Sequence, residues 1–224
     1  MAQQFDRIEP EHKSFIARQK IFFVASAAST GRVNVSPKGM ASFAVLGDNA
    51  VAYLDCTGSG NETRAHLLET PRLTLMFAAF DGDPVILRLY GQGRSYLRGD
   101  PDYAALIANF EEMPGARQII RLDVDLVQTS CGLAVPYFDY KADRQNLVRH
   151  WTRQGVDNLR KYWLKKNMKS LDGLPTGFQP ETSAIPSFQT RPKVRVKRLF
   201  WLSNSVYFLI RGRNLCSGML GMSS

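Results

Sequence analysis

Between Lys20 and Gly132 the sequence is cut repeatedly into short runs rich in Val, Ile, Leu, Phe and Ala, each closed by Gly, Asn, Asp or Pro. The runs are "KIFFVASAA" (20–28), "RVNVSP" (32–37), "ASFAVL" (41–46), "NAVAYLDC" (49–56), "RLTLMFAAF" (72–80), "PVILRLYGQGRSYLR" (84–98) and "RQIIRLDVDLVQTSCG" (117–132). Segments of this length and composition are strand formers, and their succession with short turns between them is the pattern of a meander. Helical patterns are fewer. "PEHKSFIARQ" (10–19) is one, and a very polar stretch over 141–167 is another. In "DPDYAALIANF" (100–110) Asp100 stands where a cap belongs and Pro101 at the first helical position. Many sequential strands with few helices predict a mainly β fold, a small antiparallel barrel with helices packed on its outside.

At 224 residues, 44% hydrophobic and 22% charged, the chain has enough apolar material for one core, or one domain with an appendage. The opening "AQQFDRIEPEHKSFIARQ" lacks a basic n-region leading into an apolar one, and no apolar run reaches the eighteen or so residues of a membrane span. A cytoplasmic location is the default expectation. Three cysteines, Cys56, Cys131 and Cys216, without CxxC spacing, and three histidines argue against a disulfide framework or a zinc site, so no metal is expected. Of the net charge of +9, seven units fall after Thr182, where no acidic residue occurs, leaving +2 on residues 1–181. The expected division is therefore a domain over 1–180 and a basic, partly apolar extension over 181–224. The extension reads as an appendage with poor order. Its competing reading is weak contact with an anionic membrane surface, since Leu199 to Ile210 is apolar but too short to cross a bilayer.

The stretch with the most chemical content is "DCTGSGNETRAHLLETPRLTLMF" (55–77), where Gly, Ser and Thr follow a strand and precede a short helix. A dinucleotide fingerprint would need its third glycine at Thr63 and a longer crossover before the next strand, and a Walker loop would need Gly-Lys-Ser/Thr. Neither is present. What remains is a general anion cradle: Thr57, Ser59 and Thr63 offer hydroxyls, Asn61 an amide, Arg64 a charge, and the helix start offers free N–H groups. The same spacing equally describes a strand-to-helix loop capped by Asn61 or Thr63. His66 has no carboxylate or nucleophile at telling spacing and reads as structural, and Cys131 reads as a small buried residue. "RHWTRQGVDNLRKYWLKKN" (149–167) mixes aromatic and basic residues as a nucleic-acid surface does. At helical spacing, however, Trp151, Leu159, Tyr162 and Trp163 share a face suited to packing, and no nucleic-acid partner is expected.

Four ordered strings, "GRVNVSPKGM" (31–40), "DCTGSGNETRAHLLETPRLTLMFAAFDGDPVILRLYGQGR" (55–94), "TSCGLAVPYFDY" (129–140) and "KNMKSLDGLPTG" (166–177), resemble the pyridoxamine-5′-phosphate-oxidase-like FMN-binding proteins over roughly residues 5 to 178. The resemblance implies the flavin-binding split β-barrel fold, FMN as cofactor, a homodimer and a flavin site at the subunit interface. It implies phosphate contacts from Thr57, Ser59, Asn61, Thr63 and Arg64, and places Lys38, with its neighbour Ser36, near the flavin ring or phosphate. Arg88, alternating with Ile86 and Tyr90, either faces the flavin or makes an ion pair. The Arg-Leu-His-Asp-Arg-like and Arg-Leu-Ala-Pro-like closing strings of true pyridoxamine phosphate oxidases do not occur here, where "SLDGLP" stands instead. Two functions from different classes follow: an FMN-dependent oxidoreductase acting on a small substrate, or a non-catalytic flavin- or haem-binding or sensing module. Catalytic residues are not assigned, because hydride transfer to or from a flavin needs no protein nucleophile.

Overall fold

A computed structural model describes residues 2–180, so the extension assigned to 181–224 lies outside the described residues. The elements run β1 (Gln3–Phe5), α1 (Pro10–Arg18), β2 (Phe22–Ser26), β3 (Asn34–Lys38), β4 (Phe43–Val45), β5 (Ala50–Cys56), α2 (Glu62–Glu69), β6 (Arg72–Ala78), β7 (Val85–Leu97), α3 (Tyr103–Ile107), β8 (Ala116–Cys131) and α4 (Asn146–Lys166). Each strand lies within a residue or two of its run in the sequence, apart from β1, which is too short to carry a pattern. All neighbours pair antiparallel in one sheet of order β3-β2-β6-β7-β8-β5-β4, with β1 added on β8.

The sheet is curled rather than flat. Phe22 of β2 and Phe43 of β4 stand near opposite ends of the strand order, yet their rings meet with centroids 5.0 Å apart, and Phe77 of β6 packs on Phe43 at 5.1 Å. Inward-facing Val24, Leu75, Leu87, Leu89, Ile120 and Val127 are fully buried in the resulting core. Each contributes about 1.5–3 kcal/mol relative to exposure. Curvature enters partly through a bulge where β7 passes from Tyr90 to Gly91 opposite β8. A Cβ on Gly91 would stand 2.0 Å from the Asp123 carbonyl oxygen, so only glycine fits there. The architecture is the mainly antiparallel split barrel with flanking helices expected from the sequence.

The helices cover what the barrel leaves open. The aromatic face of α4 is core: Trp151, Leu159 and Trp163 are buried with Phe178, whose ring lies 5.1 Å from that of Trp163. The helix is broken at Gly155, where φ is +75°. Around 100–110 the expected helix shrinks to one turn, Tyr103–Ile107, and Asp100 does not cap it. Its carboxylate instead accepts the N–H of Leu97, closing the turn that precedes the helix. Among the described residues no helix is long and apolar enough to cross a membrane.

Candidate functional site

At the rim of the barrel, a cleft of about 490 Å³ is walled by β3, by the loop after β5, by the start of α2 and by the segment after α4. Its position follows from strand periodicity. In β3, Asn34, Ser36 and Lys38 alternate with the exposed Val33, Val35 and Pro37, so one face lines the cleft and the other faces outward. Asp55, the penultimate residue of β5, lies at the cleft floor, and the Gly58-Ser59-Gly60 loop forms one side.

Asp55 organises this floor. It is 2% exposed and accepts hydrogen bonds from Lys38 Nζ at 2.9 Å, Arg117 Nε at 2.8 Å and Gln118 Nε2 at 2.7 Å. Burial alone would push its carboxyl pKa up, but the Arg117 and Lys38 charges outweigh that and hold it well below the usual carboxylate range. Arg117 extends the network, donating through Nη1 to the Gly60 carbonyl at 2.7 Å and to Asn167 Oδ1 at 2.9 Å, while Asn167 Nδ2 donates to the Gly58 carbonyl at 3.2 Å. The loop carbonyls are thus turned onto protein donors. The N–H groups from Gly58 to Arg64, by contrast, have no acceptor among the described residues. A run of free N–H donors at a helix start is the elementary form of an anion site. Four cations, Lys38, Arg117, Lys166 and Lys169, line the same cleft against two carboxylates, Asp55 and Glu62.

The structure brings Ser36, Lys38, Ser59 and Thr63 to the cleft wall. Ser36 Oγ donates to Asn34 Oδ1, and Thr63 Oγ1 accepts from Asn34 Nδ2. Four other residues singled out from the sequence are committed elsewhere. The Thr57 hydroxyl donates to the Gly115 carbonyl at 2.6 Å and accepts from Trp163 Nε1 at 2.7 Å, behind the loop. Asn61 holds the N-cap position of α2 without capping it by its side chain; its Oδ1 accepts from Gln118 instead. Arg64 is buried and donates to the Thr176 carbonyl at 2.6 Å, to Ser95 Oγ and to the Gly177 carbonyl. Arg88 shares the sheet face of Phe23 and Met76, opposite to the cleft face, and donates to Ser130 Oγ at 3.1 Å.

His66, expected to be structural, is buried with its Nδ1 paired to Ser26 Oγ at 3.0 Å. Cys131 is not buried but exposed, whereas burial, with the Asp55 charge, pushes the Cys56 thiol up to about 12. Asp55, Arg117, Gln118, Lys166 and Lys169 were not found from sequence. Arg117-Gln118 does interrupt an otherwise apolar strand, "ARQIIRL", and such a break inside a buried run is the one local signal available.

The curled antiparallel sheet thus carries a cationic, glycine-walled cleft at its rim. Residues 8–131 match the family model described as pyridoxamine 5′-phosphate oxidase, and the chain belongs to that family. It is 38% identical over 191 residues to the pyridoxamine 5′-phosphate oxidase family protein ustO of Aspergillus flavus, an alignment covering 76% of each chain. Among solved structures it is similar to HupZ of Group A Streptococcus, at 19% identity, TM-score 0.43, 53% of this chain and 91% of that one. It is also similar to the haem storage protein HutZ of Vibrio cholerae, at 20% identity, TM-score 0.41, 57% of this chain and 98% of that one. Neither structural likeness bears on what this chain binds.

Proposed function

We propose that the cleft holds the phosphate end of FMN and that the protein is an FMN-dependent oxidoreductase acting on a small substrate at a homodimer interface. The observation that carries this reading is the coincidence, on one glycine loop, of unpaired N–H donors and converging cations. That donor set fits a dianionic phosphate. One such cradle is present in the cleft, which favours FMN over a dinucleotide. Ser36, Ser59 and Thr63 supply hydroxyls, and Arg117 and Lys38 supply charge held in place by Asp55. When bound, the flavin supplies two-electron chemistry. Lys38 would hold a fixed positive charge beside the bound group, of the sign that favours developing negative charge. The same lysine lines an adjoining cleft of about 830 Å³ with Met40, Phe138 and Tyr140 in its wall, a surface suited to a planar substrate. The haem alternative is weaker here, because the residues lining the 490 Å³ cleft include no His, Cys, Met or Tyr to serve as an axial ligand.

The dimer is supported by the outer face of the sheet, where Val33 and Val35 are 69% and 61% exposed on the side that also carries Phe23, Met76 and Arg88. Arg88 then belongs to the interface rather than to the cleft of its own chain. A cytoplasmic setting is part of the same proposal. An absorption spectrum of the purified protein, chromatography of the cofactor released on denaturation, and anaerobic titration with NADH and NADPH test the reading. Recovery of FAD, or failure to take up FMN on reconstitution, refutes it. Sedimentation at several concentrations with and without FMN tests the interface, and a monomer with full flavin affinity refutes it.

A further inference from the structure

The family match ends at residue 131, yet Lys166, Lys169 and Ser170 in the cleft wall come from beyond it. They belong to a short strap, residues 166–178, made of the last residue of α4 and the segment that folds back after it. Its internal frame is a turn closed by Ser170 N–H to the Leu174 carbonyl at 2.8 Å and by Thr176 N–H to the Met168 carbonyl at 3.1 Å. Its ends are buried, with Asn167 and Thr176 at 0% and Phe178 at 1% exposure. Three ties fix it across the cleft. Arg64 donates to the carbonyls of Thr176 and Gly177. Leu171 N–H donates to Glu62 Oε2 at 2.9 Å. Asp172 pairs with both the backbone N–H and the guanidinium of Arg32.

A strap so fixed carries Lys166 and Lys169 to a cleft that already contains Lys38 and Arg117. Lys38 and Arg117 share the single carboxylate of Asp55, and neither strap lysine has a carboxylate partner among the described residues. Unpaired like charges placed around one cleft repel each other unless an anion occupies it. We infer that the strap is the phosphate-selecting wall of the site: Lys166 and Lys169 recognise the phosphate of a phosphorylated ligand, and Arg64 acts on that ligand only by holding the strap. The inference rests on the FMN reading above, but the anion it concerns can be probed without a flavin.

The test compares three probes, FMN, riboflavin and inorganic phosphate, on the parent protein and on Lys166→Ala/Lys169→Ala. FMN affinity should fall about tenfold or more, equivalent to ~1.4 kcal/mol, with riboflavin changed less than twofold. Phosphate-induced stabilisation of the flavin-free protein should disappear, and Lys166→Arg/Lys169→Arg should restore it. Arg64→Ala should weaken FMN in the parent but add nothing in the double-lysine variant, since it acts through the same strap. Equal FMN and phosphate binding by parent and double variant overturns the inference, as does an equal loss for riboflavin. Additive effects of Arg64→Ala overturn its positioning role. If no flavin binds but phosphate binding depends on the two lysines, the strap site stands and the FMN reading alone falls.

Discussion

Replacing Asp55 by Asn removes one negative charge and almost no volume from the buried ion network at the cleft floor. In the parent, the carboxylate accepts from Lys38 at 2.9 Å, Arg117 at 2.8 Å and Gln118 at 2.7 Å, with Asp55 2% exposed. In the variant, two buried or half-buried cations face a neutral amide whose NH2 group points at donors. Breaking a buried ion pair by removing one partner costs about 3–5 kcal/mol, because the remaining charge keeps its desolvation penalty without its counterion. For a domain of this size, ~2–4 °C of Tm per kcal/mol converts that to a loss of about 6–20 °C at neutral pH. The pH dependence has a definite sign. Asp55 has a folded pKa depressed below its ordinary value, so its stabilisation is complete above the unfolded carboxylate pKa of about 3.9 and is lost as pH falls through the folded value. The urea stabilities of parent and Asp55→Asn should therefore differ most near neutrality and converge as pH drops below about 4. A difference under about 1 kcal/mol at pH 7, the range of an exposed pair, or one that does not shrink in acid, would refute this account of the cleft floor.

Three further outcomes are expected. In a Cys216→Ser background, an aromatic disulfide reagent at pH 8 should label the exposed Cys131 and leave Cys56 untouched in the folded protein, because a thiol raised to about 12 is ionised in roughly one molecule in ten thousand. Equal labelling would contradict the raised Cys56 thiol. Gly91→Ala should lower the urea midpoint by an amount equivalent to about 3 kcal/mol, the upper end for overpacking, since its Cβ would lie against the Asp123 carbonyl oxygen; a change under 1 kcal/mol would mean that the bulge rearranges freely. Trp163→Phe keeps most of the packing against Phe178 but removes the hydrogen bond to Thr57 Oγ1. It should cost about 1–3 kcal/mol, measured by chemical denaturation, and an unchanged midpoint would show that Thr57 finds another donor.

The strand succession was legible because period-two alternation and turn residues act locally: "FFVAS", "AVAYLDC" and "RLTLMFA" each carry the signal of their own segment. The ordered motifs likewise identified the family, and the glycine loop carried the residue types of an anion cradle. What sequence could not assign was the direction of side chains that choose among distant partners. Arg64 and Asn61 have the chemistry of phosphate ligands, but 112 residues separate Arg64 from the Thr176 carbonyl that takes its Nε–H, and 57 separate Asn61 from Gln118. Lys166 and Lys169 sit in a polar run with nothing local to distinguish them from solvated lysines. Their place in the cleft depends on where α4 ends and how the strap returns over α2. Local propensity and pattern determined the elements. Only the closure of the sheet on itself decided which charges meet, because burying Asp55 with Lys38 and Arg117 requires three strands, β3, β5 and β8, to converge at one rim.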